Sequence, residues 1–94
     1  MQNWTDMPHR VIRTEMTKRG ISYAELVERF ARIGIIENER SLRNKVARST
    51  FSATFMLQCM VAMDMMVLDL SGYELPQPAE PIRAESSFPE VSDE

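Results

Sequence analysis

An all-α fold of four to five short helices is what this 94-residue sequence predicts, on three observations. Apolar residues recur at three- and four-residue steps, the spacing that puts them on one stripe of a helix. Capping residues (Ser22, Asn38, Ser52) and terminating glycines (Gly20, Gly34) punctuate those stripes at helix-length intervals. Eight Met and only 7% aromatic residues describe a core of adaptable aliphatic side chains, which suits packed helices better than a sheet. The expected organisation is one domain over residues 1–73, followed by a disordered, acidic, proline-rich tail over 74–94.

The first helix is expected to begin near Asp6. Its carboxylate would cap the helix, and Pro8 falls in the first turn, where its missing N–H costs nothing. Val11, Ile12, Glu15 and Met16 continue the helical spacing to Arg19, and Gly20 closes it. The second helix carries the clearest signals. Ser22 and Glu25 form a capping-box pattern, and Tyr23, Leu26, Val27, Phe30 and Ile33 mark its buried face. Glu25 with Arg29 and Glu28 with Arg32 are acid-to-base pairs four residues apart, worth about 0.3 to 0.5 kcal/mol each and read as a solvated face. Gly34 stops this helix, and residues 35–38 make a short connection.

Asn38 caps a third helix, Glu39 to about Arg48, with Leu42 and Val46 on its inner stripe. At 100° per residue the opposite side carries Arg40, Asn44 and Arg48, with Arg43 and Lys45 on the flanks. Ser52 caps a fourth helix through about Met63, with Phe51 and Met56 placed to staple its start. That helix is apolar almost all round, which makes it either the central helix or partly an interface. Met65 to Leu70 reads as a fifth short helix or as an extended segment lying on the core. One core is expected to gather Tyr23, Leu26, Val27, Phe30, Leu42, Val46, Phe55, Met56 and Met60. Beyond Gly72, Pro76, Pro78, Pro81 and Pro89 stand among acidic and Ser residues with too little apolar material for a core.

Composition narrows the function classes. Cys59 is the single cysteine, so no intramolecular disulfide exists, and in its apolar helix it reads as a core thiol rather than a nucleophile. His9 has no second His or Cys at ligand spacing and reads as a surface side chain. With no phosphate loop and no convergent acid–base set, neither an enzyme nor a cofactor is expected. No basic region followed by an apolar run opens the chain, and Asp64 and Asp69 interrupt the most apolar stretch. A cytoplasmic protein without a membrane span, and without a small-molecule substrate, is the resulting expectation.

The net charge of −3 conceals a polarity: residues 1–50 hold ten Lys/Arg against six Asp/Glu, and residues 51–94 hold one against eight. The basic half points to a polyanion. Arg40, Arg43, Asn44, Lys45 and Arg48, on a helix that follows another across a tight turn, suit double-stranded DNA. Arg can bond guanine O6 and N7 in a bidentate way, Asn can do the same with adenine N6 and N7, and Lys45 and Arg48 suit phosphates. Arg10, Arg13, Lys18 and Arg19 of the first helix would add backbone contacts.

Three stretches also carry a resemblance: Ser22-Tyr23-Ala24-Glu25-Leu26, Leu42-Arg43-Asn44-Lys45-Val46, and Thr50-Phe51-Ser52 followed by residues 55–60, Phe-Met-Leu-Gln-Cys-Met. They resemble a bacterial family of uncharacterised domains, itself similar to the lambda-repressor-like (Xre-type) helix-turn-helix group. The resemblance covers about two-thirds of the chain. It implies a four- or five-helix bundle, DNA binding, and a reading role for the third helix. Ser49 and Asp64 stand where that group commonly has glycine.

Two readings follow. In the first, the chain is a small transcriptional regulator that reads the major groove with helix 39–48, expected as a homodimer because one helix contacts few base pairs. In the second, the same scaffold is a protein-interaction module using the Met-rich stretch 53–70. The acidic tail either competes with phosphates for Arg40, Arg43 and Arg48 or is a passive solubilising segment.

Overall fold

The structure, a computed structural model, describes residues 3–77. It contains four α-helices, α1 (Met7–Arg19), α2 (Tyr23–Arg32), α3 (Glu39–Arg48) and α4 (Ala53–Ala62), flanked by single 3-10 turns at Trp4–Asp6 and Leu70–Gly72. No strand occurs among the described residues. α3 packs against both α1 and α2, and α4 packs against α2. Of the two alternatives for Met65–Leu70, no α-helix forms: residues 65–69 lack regular structure, Met65 is buried, and Met66 to Leu68 are exposed.

The helix starts are made by side chains three residues upstream of the amide they satisfy. Ser22 Oγ accepts from the Glu25 amide at 3.1 Å, Asn38 Oδ1 from the Ser41 amide at 2.7 Å, and Ser52 Oγ from the Phe55 amide at 3.0 Å. Asp6 departs from expectation, because its side chain caps nothing. The preceding 3-10 turn runs straight into α1, so the cap moves upstream: Asn3 Oδ1 accepts from the Asp6 amide at 3.1 Å.

The helix ends share one solution, with one exception. After α1, α2 and α4 the chain turns through a left-handed residue, Gly20 (φ 65°), Gly34 (φ 85°) and Asp64 (φ 61°). The next amide reaches back across the turn: Ile21 to Met16 O at 2.8 Å, Ile35 to Phe30 O at 2.9 Å and Met65 to Met60 O at 2.7 Å. Ile21 and Met65 are then buried, so each closure also places an apolar side chain on the core. α3 ends on Ser49 (φ 64°), whose amide bonds only Val46 O. Its closure comes from α1: His9 Nδ1 donates to Val46 O at 3.0 Å, the His9 amide donates to Ser49 Oγ at 3.1 Å, and the Ser49 hydroxyl donates to Thr5 O. His9 is therefore half-buried between α1 and α3, and not the surface side chain that its isolation in the sequence suggests.

Leu26, Phe30, Leu42, Val46 and Cys59 are fully enclosed at the centre of one core, with Ile12 of α1. Tyr23 and Phe55 are buried with them, while Val27, Met56 and Met60 pack against the cluster from its edge. Burial pushes the Cys59 thiol up to about 12, as befits a packing side chain rather than a nucleophile. The chain stays attached past residue 73. Tyr73 and Leu75 pack on the core, and the Arg10 guanidinium donates to Glu74 O at 3.1 Å. The rest of the tail, residues 78–94, lies outside the described residues.

Candidate nucleic-acid interface

Eleven cations in an acidic chain invite the question of which ones the fold itself consumes. Those of α1 are largely absorbed. Lys18 Nζ and Arg19 Nε bond the two oxygens of Glu15 at 3.3 and 3.1 Å, and Tyr73 OH donates to the same carboxylate at 3.2 Å. Glu15 is only 6% exposed. Its burial opposes ionisation, yet the bonds from Arg19, Lys18 and Tyr73 prevail and hold its carboxyl below the ordinary glutamate range. Arg19 also donates to Met63 O at 3.0 Å, and Arg10 is committed to Glu74 O. The α1 cations expected to add backbone contacts are thus mostly structural.

In α2, Arg29 is half-buried and bridges elements. It bonds Glu25 at 2.9 Å, donates to Ala62 O at 3.1 Å and lies 3.6 Å from Asp64. With Arg19 it supplies positive charge to the carbonyl end of α4, where the helix dipole is negative. The expected solvated pair Glu25–Arg29 is therefore also a tertiary tie. Glu28 and Arg32 make no ion pair among the described residues.

α3 is different. Its buried Leu42 and Val46 fix the rotation of the helix, so the five candidate side chains project as their spacing requires. Arg40, Asn44 and Arg48 are exposed at four-residue steps along one line, spanning about 12 Å. Arg40 and Arg48 make no ion pair among the described residues. Arg43 is exposed but engaged, bonded to Glu39 at 2.6 Å and lying 4.6 Å from the centre of the Tyr23 ring. Arg13 of α1 lies 5.3 Å from that ring and so extends the cationic surface past Arg43. Lys45 is the most constrained. Its ammonium bonds Glu37 at 2.6 Å and sits 5.5 Å from the Phe55 ring, and that bond outweighs burial to hold the Glu37 carboxyl low. Glu37 lies in the connection before α3, so nothing in the helical spacing announces the pair.

Two shallow recesses flank this face. Arg40, Asn44, Lys45 and Arg48 line one together with Asn38 and Ser41. Lys45 and Arg48 also line a second of 330 Å³, with Thr50, Ser52 and Thr54 at the start of α4. Backbone amides at a helix start favour anions, so cations, hydroxyls and the α4 terminus converge beside the end of α3. No group of three or more His, Cys, Asp or Glu able to hold a metal exists among the described residues. No helix there is long and apolar enough to cross a membrane.

Fold and surface together define a small all-α domain in which two short capped helices, α2 and α3, meet across a tight connection and the second presents a cationic outer face. The chain belongs to the family described as domain of unknown function (DUF6471), which matches residues 4–68 and so spans all four helices. Neither a curated protein nor a solved structure matches it.

Proposed function

We propose that the domain is a helix-turn-helix DNA-binding module of the lambda-repressor-like (Xre) kind, with α3 as the helix that enters the major groove. It would act as a small cytoplasmic transcriptional regulator, with no catalytic step. One observation carries the reading: Arg40, Asn44 and Arg48 stand in line on the solvent face of the second helix of a helix–turn–helix pair, and no acidic side chain among the described residues pairs with Arg40 or Arg48. Arg and Asn at successive turns match the donor and acceptor pattern of base edges, and an Arg at the end of the helix suits a flanking phosphate. Arg43 and Lys45 would have to exchange Glu39 and Glu37 for DNA, which makes them secondary contributors.

Binding of a random duplex library, followed by fluorescence anisotropy at two salt concentrations, tests this. Asn44→Ala is expected to weaken the preferred duplex by about 1 to 3 kcal/mol and relax base preference. Arg48→Ala is expected to weaken all duplexes alike and lower the salt slope by about 1. Wild-type affinity in both variants would remove the reading. Exposed Met66 and Val67 favour the second reading, a protein-interaction module using residues 53–70. Binding of that kind barely responds to salt, whereas phosphate contacts weaken steeply.

A further inference from the structure

Two carboxylates hold cations of α3, and their surroundings differ. Glu39 bonds Arg43 within the helix at 2.6 Å, with the two side chains 50% and 54% exposed. Water replaces such a pair at little cost. Glu37 reaches Lys45 from the connection before the helix, also at 2.6 Å, yet its side chain is only 13% exposed. The Lys45 bond outweighs burial and, with a bond from Ser41, holds the Glu37 carboxyl below the ordinary glutamate range, so it stays charged at neutral pH. We propose that Glu37 is an intramolecular competitor that withholds Lys45 from bound phosphates and so caps the affinity of the α3 face for any polyanion. The inference rests on the DNA reading and adds a restraint to that same site.

Lys45 stands where its release would count. It lines both recesses beside α3, sharing one with Arg40 and Asn44 and the other with Arg48 and the hydroxyls of Thr50, Ser52 and Thr54. To turn toward an anion in either recess, the ammonium leaves a carboxylate that water reaches poorly, and Glu37 keeps its charge with Ser41 as its remaining partner. Removing one member of such a pair is costly because the other stays charged and desolvated. Arg43 faces no comparable restraint, since half-exposed Glu39 is hydrated once it leaves. In the DNA reading Lys45 meets phosphates rather than bases, so the restraint acts alike on every sequence. It lowers affinity and salt dependence and leaves base preference unchanged.

Glu37→Gln keeps the shape of the side chain and removes its charge, while Glu39→Gln removes an equal charge nearby and controls for electrostatics alone. Fluorescence anisotropy with a labelled random duplex and with labelled long-chain inorganic polyphosphate, at several salt concentrations, reads the difference. Circular dichroism checks that each variant keeps its helix content. Glu37→Gln is expected to tighten both probes about tenfold and to steepen the salt slope by about 1, one further counterion being released. Glu39→Gln should tighten them only about twofold. In the double variant Glu37→Gln/Lys45→Gln the gain should fall to no more than that of Glu39→Gln, which separates a released ammonium from a lost negative charge. A Glu37→Gln gain no larger than that of Glu39→Gln overturns the proposal, and so does a gain that survives the loss of Lys45. Failure of wild type and Glu37→Gln alike to bind polyphosphate overturns it too. A gain on polyphosphate with no binding of any duplex leaves the competitor in place and removes the DNA reading alone.

Discussion

α2 and α3 are the same length, both are capped by a side chain reaching three residues forward, and both bury one apolar stripe in the same core. Their charges are spent differently. α2 holds two acids and two bases, and its best-buried cation, Arg29, is occupied by Glu25, Ala62 O and Asp64. α3 holds one acid against four bases, so even after Glu39 and Glu37 take Arg43 and Lys45, Arg40 and Arg48 have no ion pair among the described residues. Like charges along one helix repel, so an anionic partner would relieve this face more than that of α2. The contrast teaches where to look for a partner: at the charge the fold has not neutralised.

The comparison can first be broken at its shared part. Phe30→Ala and Leu42→Ala remove fully buried side chains from α2 and α3 and should each cost about 2 to 5 kcal/mol, read by urea unfolding. A loss below about 1 kcal/mol at either position would show that its helix is not part of that core. Next in size is Arg29→Ala, expected to cost about 1 to 3 kcal/mol because it strands the carbonyl of buried Ala62. Arg40→Ala and Arg48→Ala should change stability by less than about 0.5 kcal/mol. Comparable losses in all three would erase the distinction between structural and surplus cations.

Acid sharpens the same contrast. Glu15 and Glu37 titrate below their ordinary range in the fold, so the unfolded chain binds protons more readily than the native one. Their contribution is present above the ordinary glutamate pKa and is lost as pH falls through the lowered native values. Glu15→Gln should therefore flatten the loss of stability below about pH 4.5. An unaltered acid limb would show that the Glu15 cluster carries none of it. A small effect of opposite sign is expected at Asp64, held left-handed with a long, exposed contact to Arg29. Asp64→Gly should stabilise by about 0.5 kcal/mol, measured as a rise in Tm.

Much of this was legible because it is local. A Ser or Asn caps an amide three residues away, and an inner Leu42–Val46 stripe obliges Arg40, Asn44 and Arg48 to face outward, so the bounds of α3 and its basic face follow from spacing. Pairings across the chain have no such signature. Nothing near Lys45 announces Glu37, and nothing near Arg29 announces Ala62 O, since helix packing decides both. Met65 to Leu70 resisted assignment for another reason. An apolar run that short fits a helix or an extended segment equally well until the core it lies on is known.

α1, α2 and α4 each close with a backbone bond across a left-handed residue, α4 with added bonds from Arg19 and Arg29, but the last turn of α3 is closed by residues from the start of the chain. That difference ties the local stability of this turn to the docking of α1. In the native state the final turn of α3 is held while the segment Thr5–His9 stays docked, and it frays when that segment leaves. Bringing His9 to Ser49 closes a loop spanning 40 residues, at an entropy cost of about 3 kcal/mol that the core contacts of α1 must offset. Amide exchange in that turn should thus run at the rate of α1 detachment rather than of helix fraying. Arg48 sits in this turn, so how sharply it is aimed depends on a histidine near the other end of the chain.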